Sequence, residues 1–72
     1  MKTLTIEKRN KRVSHCKTTI DRIITRNGDN KQATMTELTE ILGNFDLKLG
    51  AGGSHIWCSN LKNERVFIIN GY

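Results

Sequence analysis

The chain has no proline, only two cysteines and only four aromatic residues among its 72. Without proline there is no imposed backbone break, so glycines and capping side chains must set the limits of helices and strands. Two cysteines, Cys16 and Cys58, are too few for a disulfide framework, and with no secretory signature beside them they read as free thiols. No apolar run approaches the roughly 18 residues of a membrane span, and no apolar segment with a small-residue cleavage site follows the basic N-terminus. These absences predict a soluble, cytoplasmic protein with no membrane partner. Seventy-two residues make one domain, 1–72, near the lower size limit for a stable core, because such a chain buries only about 60% of its unfolded surface. Neither a second domain nor a large cofactor pocket is therefore expected in these 72 residues. A hydrophobic share of 36% and a charged share of 26% are those of a globular chain, not a disordered one.

Acidic residues are scarce where basic ones are dense. Residues 1–31 hold nine lysines and arginines (Lys2, Lys8, Arg9, Lys11, Arg12, Lys17, Arg22, Arg26, Lys31) against Glu7, Asp21 and Asp29. Residues 32–72 hold three basic residues and four acidic ones. The excess behind the net charge of +5 is therefore concentrated in one element. A polyanion-binding face has that pattern, and so does a solvated basic helix that only confers solubility.

Periodicity supplies the elements. Thr3-Leu4-Thr5-Ile6-Glu7 alternates polar and apolar residues, so residues 1–8 are expected to form a flexible extension or a short strand. From Arg9 to Arg26, Val13, Cys16, Ile20, Ile23 and Ile24 fall on one stripe of a helix, with basic residues opposite. Gly28 is placed to close it. Thr34 and Glu37 form T-x-x-E, which predicts a capping box at the start of a second helix. Met35, Leu38, Ile41 and Leu42 supply its stripe and Gly43 its end. After Gly43 the period changes to two. Strands are expected over 46–50, 54–59 and 64–70, joined by hairpins at Ala51-Gly52-Gly53 and Asn60-Leu61-Lys62-Asn63. The expected fold is α+β: two helices packed on one face of a three-stranded antiparallel sheet, α-α-β-β-β, with Ile20, Ile23, Leu38, Ile41, Leu42, Ile56 and Phe67 in the core.

Alternation through Ser54-His55-Ile56-Trp57-Cys58 sends Ile56 and Cys58 to one face and His55 and Trp57 to the other. If the first pair is the core pair, a histidine and a tryptophan stand side by side on the open face of the sheet. The opposite register makes Trp57 the core anchor. His15, Cys16, His55 and Cys58 contain the residue types of a zinc site, but neither pair has ligand spacing, so no metal is expected. Gly50, Gly52 and Gly53 precede no helix, which excludes a nucleotide-binding loop, and no cofactor is expected.

Thr19-Ile20-Asp21-Arg22-Ile23-Ile24, Glu37-Leu38-Thr39-Glu40-Ile41-Leu42-Gly43 and Gly52-Gly53-Ser54-His55 followed by an apolar strand resemble the HicA family of small toxins from bacterial toxin-antitoxin pairs. The likeness spans roughly residues 13–70, and Gly53-Ser54-His55 is its most telling motif. The chain departs from the family pattern at Tyr72, where relatives commonly continue into a closing helix. The resemblance implies a fold like that of double-stranded-RNA-binding domains, a metal-independent mRNA interferase (endoribonuclease) activity with His55 as the catalytic residue, and neutralisation by a HicB-type antitoxin protein.

Such cleavage uses the neighbouring 2′-hydroxyl as nucleophile, and imidazole is the side chain best suited to move its proton at neutral pH. The expected RNA-binding set is Lys11, Arg12, Lys17, Arg22 and Arg26 of the first helix, with Lys48, Gly53, Ser54, Trp57 and Arg65 around His55. Two further functions fit the same residues: a noncatalytic RNA-binding module, and a small protein-binding inhibitor that uses the fold as a docking surface.

Overall fold

The computed structural model of the chain describes residues 2–72, apart from the side chain of Asn44, so the first residue of the expected N-terminal extension lies outside the described residues. The chain opens with strand β1 (Thr3–Ile6), followed by helices α1 (Lys11–Asn27) and α2 (Lys31–Leu42). A single 3-10 turn (Gly43–Phe45) leads to strands β2 (Lys48–Ala51), β3 (His55–Ser59) and β4 (Arg65–Asn70).

Asparagines start both helices. The Asn10 side chain accepts hydrogen bonds from the amides of Arg12 at 2.9 Å and Val13 at 3.2 Å. Asn30 accepts from Ala33 at 3.1 Å. Each thus satisfies donors that the first helical turn leaves without partners. The second cap corrects the expected capping box: α2 begins three residues before Thr34. Thr34 is fully buried inside the helix, and its hydroxyl donates to the Asn30 carbonyl at 3.0 Å. Glu37, which the box would turn back toward the cap, is held by Arg26 and Asn27 of α1.

Gly28 closes α1 at φ 55°, its amide donating to Ile24 at 3.0 Å, a conformation glycine adopts without a Cβ penalty. Gly43, by contrast, stays right-handed at φ −58°, and the reversal falls to Asp46 at φ 58°.

The sheet is antiparallel with order β1-β4-β3-β2. It has four strands and not the expected three, because Thr3–Ile6 pairs along β4 in the register Thr3 to Asn70 through Ile6 to Phe67. Both helices cover one face. Val13, Ile20, Ile23 and Ile24 of α1 and Leu38 and Leu42 of α2 pack in one core with Cys58 of β3 and Val66, Phe67 and Ile69 of β4, and Ile56 of β3 is also fully buried. Ile41, expected in the core, is half-buried at its margin. Val66 and Phe67 are consecutive and both point inward because a bulge opposite Cys58 and Ser59 shifts the pairing by one residue. The Val66 carbonyl at the bulge accepts the amides of Glu7 at 2.8 Å and Lys8 at 3.0 Å. No helix among the described residues is long and apolar enough to cross a membrane.

Candidate functional site

With the helices on one side, the other face of the sheet is uncovered. Directly paired residues share a face, so the registers define three rows across it. Thr3, Asn70 and His55 form one row, ending beside Gly52. Thr5, Ile68, Trp57 and Gly50 form the next. Arg65, Ser59 and Lys48 form the third. Ile56 and Cys58 are fully buried and His55 and Trp57 half-buried, which settles the register in favour of the outward pair.

The two rings lie down across β2 because β2 offers them glycines. A Cβ on Gly50 would stand 2.6 Å from the indole Nε1 of Trp57, and one on Gly52 would stand 2.5 Å from Cε1 of His55. Both distances are far inside van der Waals contact, so each glycine is the floor on which one ring rests. The ring centroids are 5.4 Å apart with planes tilted by 38°, within the range in which aromatic pairs attract. Both rings are only half-buried among the described residues. An open depression beside them is lined by Glu7, Ser59, Asn63 and Arg65 among others.

The hairpin tip that carries His55 is anchored from behind. Gly52 donates to the His55 carbonyl at 2.9 Å, and the Ser54 carbonyl accepts Gly71 at 3.1 Å and Tyr72 at 3.0 Å. The Lys31 ammonium, at the first position of α2, donates to the carbonyl of Gly52 and reaches that of Gly53 at 3.4 Å. A cation there opposes the helix dipole, and the two carbonyls account for its position. Gly53 and Ser54 themselves are exposed at the tip.

The expected binding residues do not form one surface. Lys48 and Arg65 lie on strands beside β3 but opposite Ser59, four residues from His55, or about 13 Å along the strand. Arg65 is paired with Glu7 at 2.8 Å, and Lys48 donates to Asn63 at 3.2 Å. The α1 cations are on the helix side of the sheet. Lys11, Arg22 and Arg26 project away from the buried stripe, whereas Lys17 flanks it on one side and Arg12 on the other. Arg26 is paired with Glu37 at 2.6 Å, and this hydrogen bond, with a second from Asn27, holds the Glu37 carboxyl below its ordinary range. Arg12 lies over the Phe45 ring, 5.4 Å from its centroid.

No family model, curated protein or solved structure matches the chain. The chemistry of the site therefore has to come from its own geometry. Among the described residues the His55 ring has no hydrogen-bond partner, and its row offers Thr3, Asn70 and Gly52, none of which exchanges a proton near neutral pH. Cys58 is buried and its thiol pushed up to about 11 by desolvation, which makes it core material and not a nucleophile. No group of three or more potential metal ligands occurs among the described residues.

Sequence reasoning missed Lys31, Ile68 and the role of Gly50 and Gly52. A glycine opposite an aromatic residue in adjoining strands is the signal that would have found the last two, once register is known.

Proposed function

We propose that this protein binds single-stranded RNA on the uncovered face of its sheet, stacking bases on the Trp57–His55 pair. The observation that carries this reading is the pair itself: two adjacent rings on a central strand, supported from below by glycines and open above. An open four-stranded sheet with aromatic side chains on its central strands is one of the ways proteins stack unpaired bases. Such stacking tolerates any base and contributes about 1–3 kcal/mol for each. The net charge of +5 supplies the long-range attraction for a polyanion.

The HicA resemblance adds a second reading, in which the same surface cleaves the strand it holds and a HicB-type antitoxin covers it. Its support is the His55 ring, half-buried beside Trp57 with no hydrogen-bond partner among the described residues, which leaves its nitrogens to meet a ribose hydroxyl. One imidazole supplies a single proton-transfer role, worth about 10²–10⁴ in rate. With no second titrating group in its row, binding is the stronger conclusion.

Both readings are tested with single-stranded RNA in the presence of EDTA. Trp57→Leu should weaken binding roughly 5- to 150-fold, the equivalent of the loss of one stacked base. Undiminished binding by that variant refutes the platform. Cleavage by the wild type that His55→Ala abolishes would establish the interferase; a wild type that binds and never cleaves leaves a binding module.

A further inference from the structure

We infer that a strand held on the Trp57–His55 platform continues past Ser59 into a second, basic subsite between the start of α1 and the β3–β4 turn, where Lys11, Arg12 and Lys62 take its phosphates. This rests on the RNA reading above and names the rest of the ligand's path.

Two depressions adjoin on the molecule. The first, beside the rings, is nearly neutral, its cations Lys8 and Arg65 facing Glu7 and Glu64. The second is lined by Lys8, Lys11, Arg12 and Lys62 against Asp46 and Glu64, with Phe45 and Leu61 as its apolar part. Lys8 and Glu64 line both, so the surface is continuous from the rings to the helix start. The Lys8–Glu64 pair, 2.6 Å apart, satisfies itself. A hydrogen bond from Lys8, then one from Asn60, holds the Glu64 carboxyl below its ordinary range. Lys62 adds to the field that lowers Glu64, and Asp46 is the other carboxylate lining the depression; among the described residues none of Lys11, Arg12 and Lys62 is in an ion pair.

Their chemistry suits phosphodiesters. Arg12 stacks its guanidinium on Phe45, an arrangement that fixes the group while leaving edge N–H donors for an anion. Leu61, 65% exposed at the turn, offers an apolar contact for a ribose or base. The amides of Arg12 and Val13 are already taken by Asn10, so the grip comes from side chains and not from the helix terminus. On the outer side of α1 the surroundings differ: Arg22 and Arg26 share a groove with Glu37 and Glu40. The molecule's longest dimension is 28 Å, so the path suits about four nucleotides, at the lower end for small sheet-based single-strand sites.

The test is a titration of the intrinsic fluorescence of Trp57, the sole tryptophan, with a uridine dinucleotide and with an eight-nucleotide oligouridylate at several salt concentrations. For the octanucleotide, the variant Lys11→Gln/Arg12→Gln/Lys62→Gln should lower the slope of log affinity against log salt by about 2, from three phosphates at about 0.7 each. Its dinucleotide affinity should equal that of wild type, and Lys17→Gln/Arg22→Gln should change neither. Should removal of Arg12 from Phe45 lower the melting temperature, Lys11→Gln/Lys62→Gln replaces the triple variant, with two thirds of the slope change expected. An unchanged octanucleotide slope, an equal loss for both oligonucleotides, or a slope lost in the Lys17/Arg22 variant instead overturns the second subsite while leaving the platform standing. Wild-type fluorescence that responds to neither RNA removes the platform, and the subsite with it.

Discussion

Gly50→Ala should expose Trp57 without touching the ligand. A methyl group at Gly50 would stand 2.6 Å from the indole Nε1, so the ring has to leave the strand. A tryptophan buries about 150–250 Å² when packed. Trp57 is half-buried, so losing its floor uncovers roughly 100 Å², or about 2.5 kcal/mol at 25 cal/mol/Å². Against this, alanine is better than glycine in a strand interior by about 0.5–1 kcal/mol. The packing term wins, leaving a net loss of about 1.5–2 kcal/mol and a fall in melting temperature of roughly 6–16 °C for a domain of this size. Emission from the sole tryptophan should shift to longer wavelength, and affinity for single-stranded RNA should fall with it. Gly53→Ala is the control, since a Cβ there meets nothing within 4 Å. A Gly50→Ala protein with wild-type emission and an unchanged or raised melting temperature would refute the idea that this glycine positions the ring.

Lys31→Met should cost about 1 kcal/mol: a charge-assisted hydrogen bond is worth about 1.5–3, offset by relief of about 0.3–1 against the dipole of α2. Amide exchange should quicken at Gly52 through His55, and unchanged protection there would show that Lys31 does not anchor the hairpin. The Cys58 thiol, raised by burial from 9.0 to about 11, is neutral in the fold, so its contribution is complete below pH 9 and is lost as pH rises toward 11. Cys58→Ala should flatten that alkaline decline in melting temperature, and in the wild type Cys16, half-exposed, should be alkylated well before Cys58. Glu37, its carboxyl lowered by Arg26, stabilises the fold above the ordinary carboxylate range, and that contribution is lost as pH falls through its lowered pKa. Arg26→Gln should reduce this acid-side dependence to the part that Asn27 supplies, and salt should also weaken it because the pair is exposed.

Local pattern carried much of the fold. The stripe of Val13, Ile20, Ile23 and Ile24, the second helix through Leu38 and Leu42 and the three C-terminal strands follow from spacing, whereas spacing left two registers open for His55 and Trp57 and burial decides for the outward one. The misses are the features that distant partners decide. Thr3–Ile6 alternates as a strand should, but only its pairing with β4 makes the sheet four-stranded. Thr34-x-x-Glu37 matches a capping box, yet Arg26 and Asn27 claim Glu37 and Asn30 caps the helix instead. Lys48 and Arg65 lie on the strands adjoining β3, as expected, but only the register sets their distance from His55, opposite Ser59. The basic pattern of α1 suits a polyanion-binding face and a solvated helix alike, and the aromatic pair lies on the other side of the sheet that α1 covers.

The central claim, that single-stranded RNA lies on the uncovered sheet face, is tested most directly by mapping amide chemical shifts as a short oligouridylate is added to the labelled protein. The account predicts the largest changes at His55, Trp57 and Ser59 of β3 and at Ile68 and Asn70 of β4, with the indole N–H of Trp57 moving in step. Changes confined to the outer face of α1, at Arg22 and Arg26, with the Trp57 indole unmoved, would contradict it.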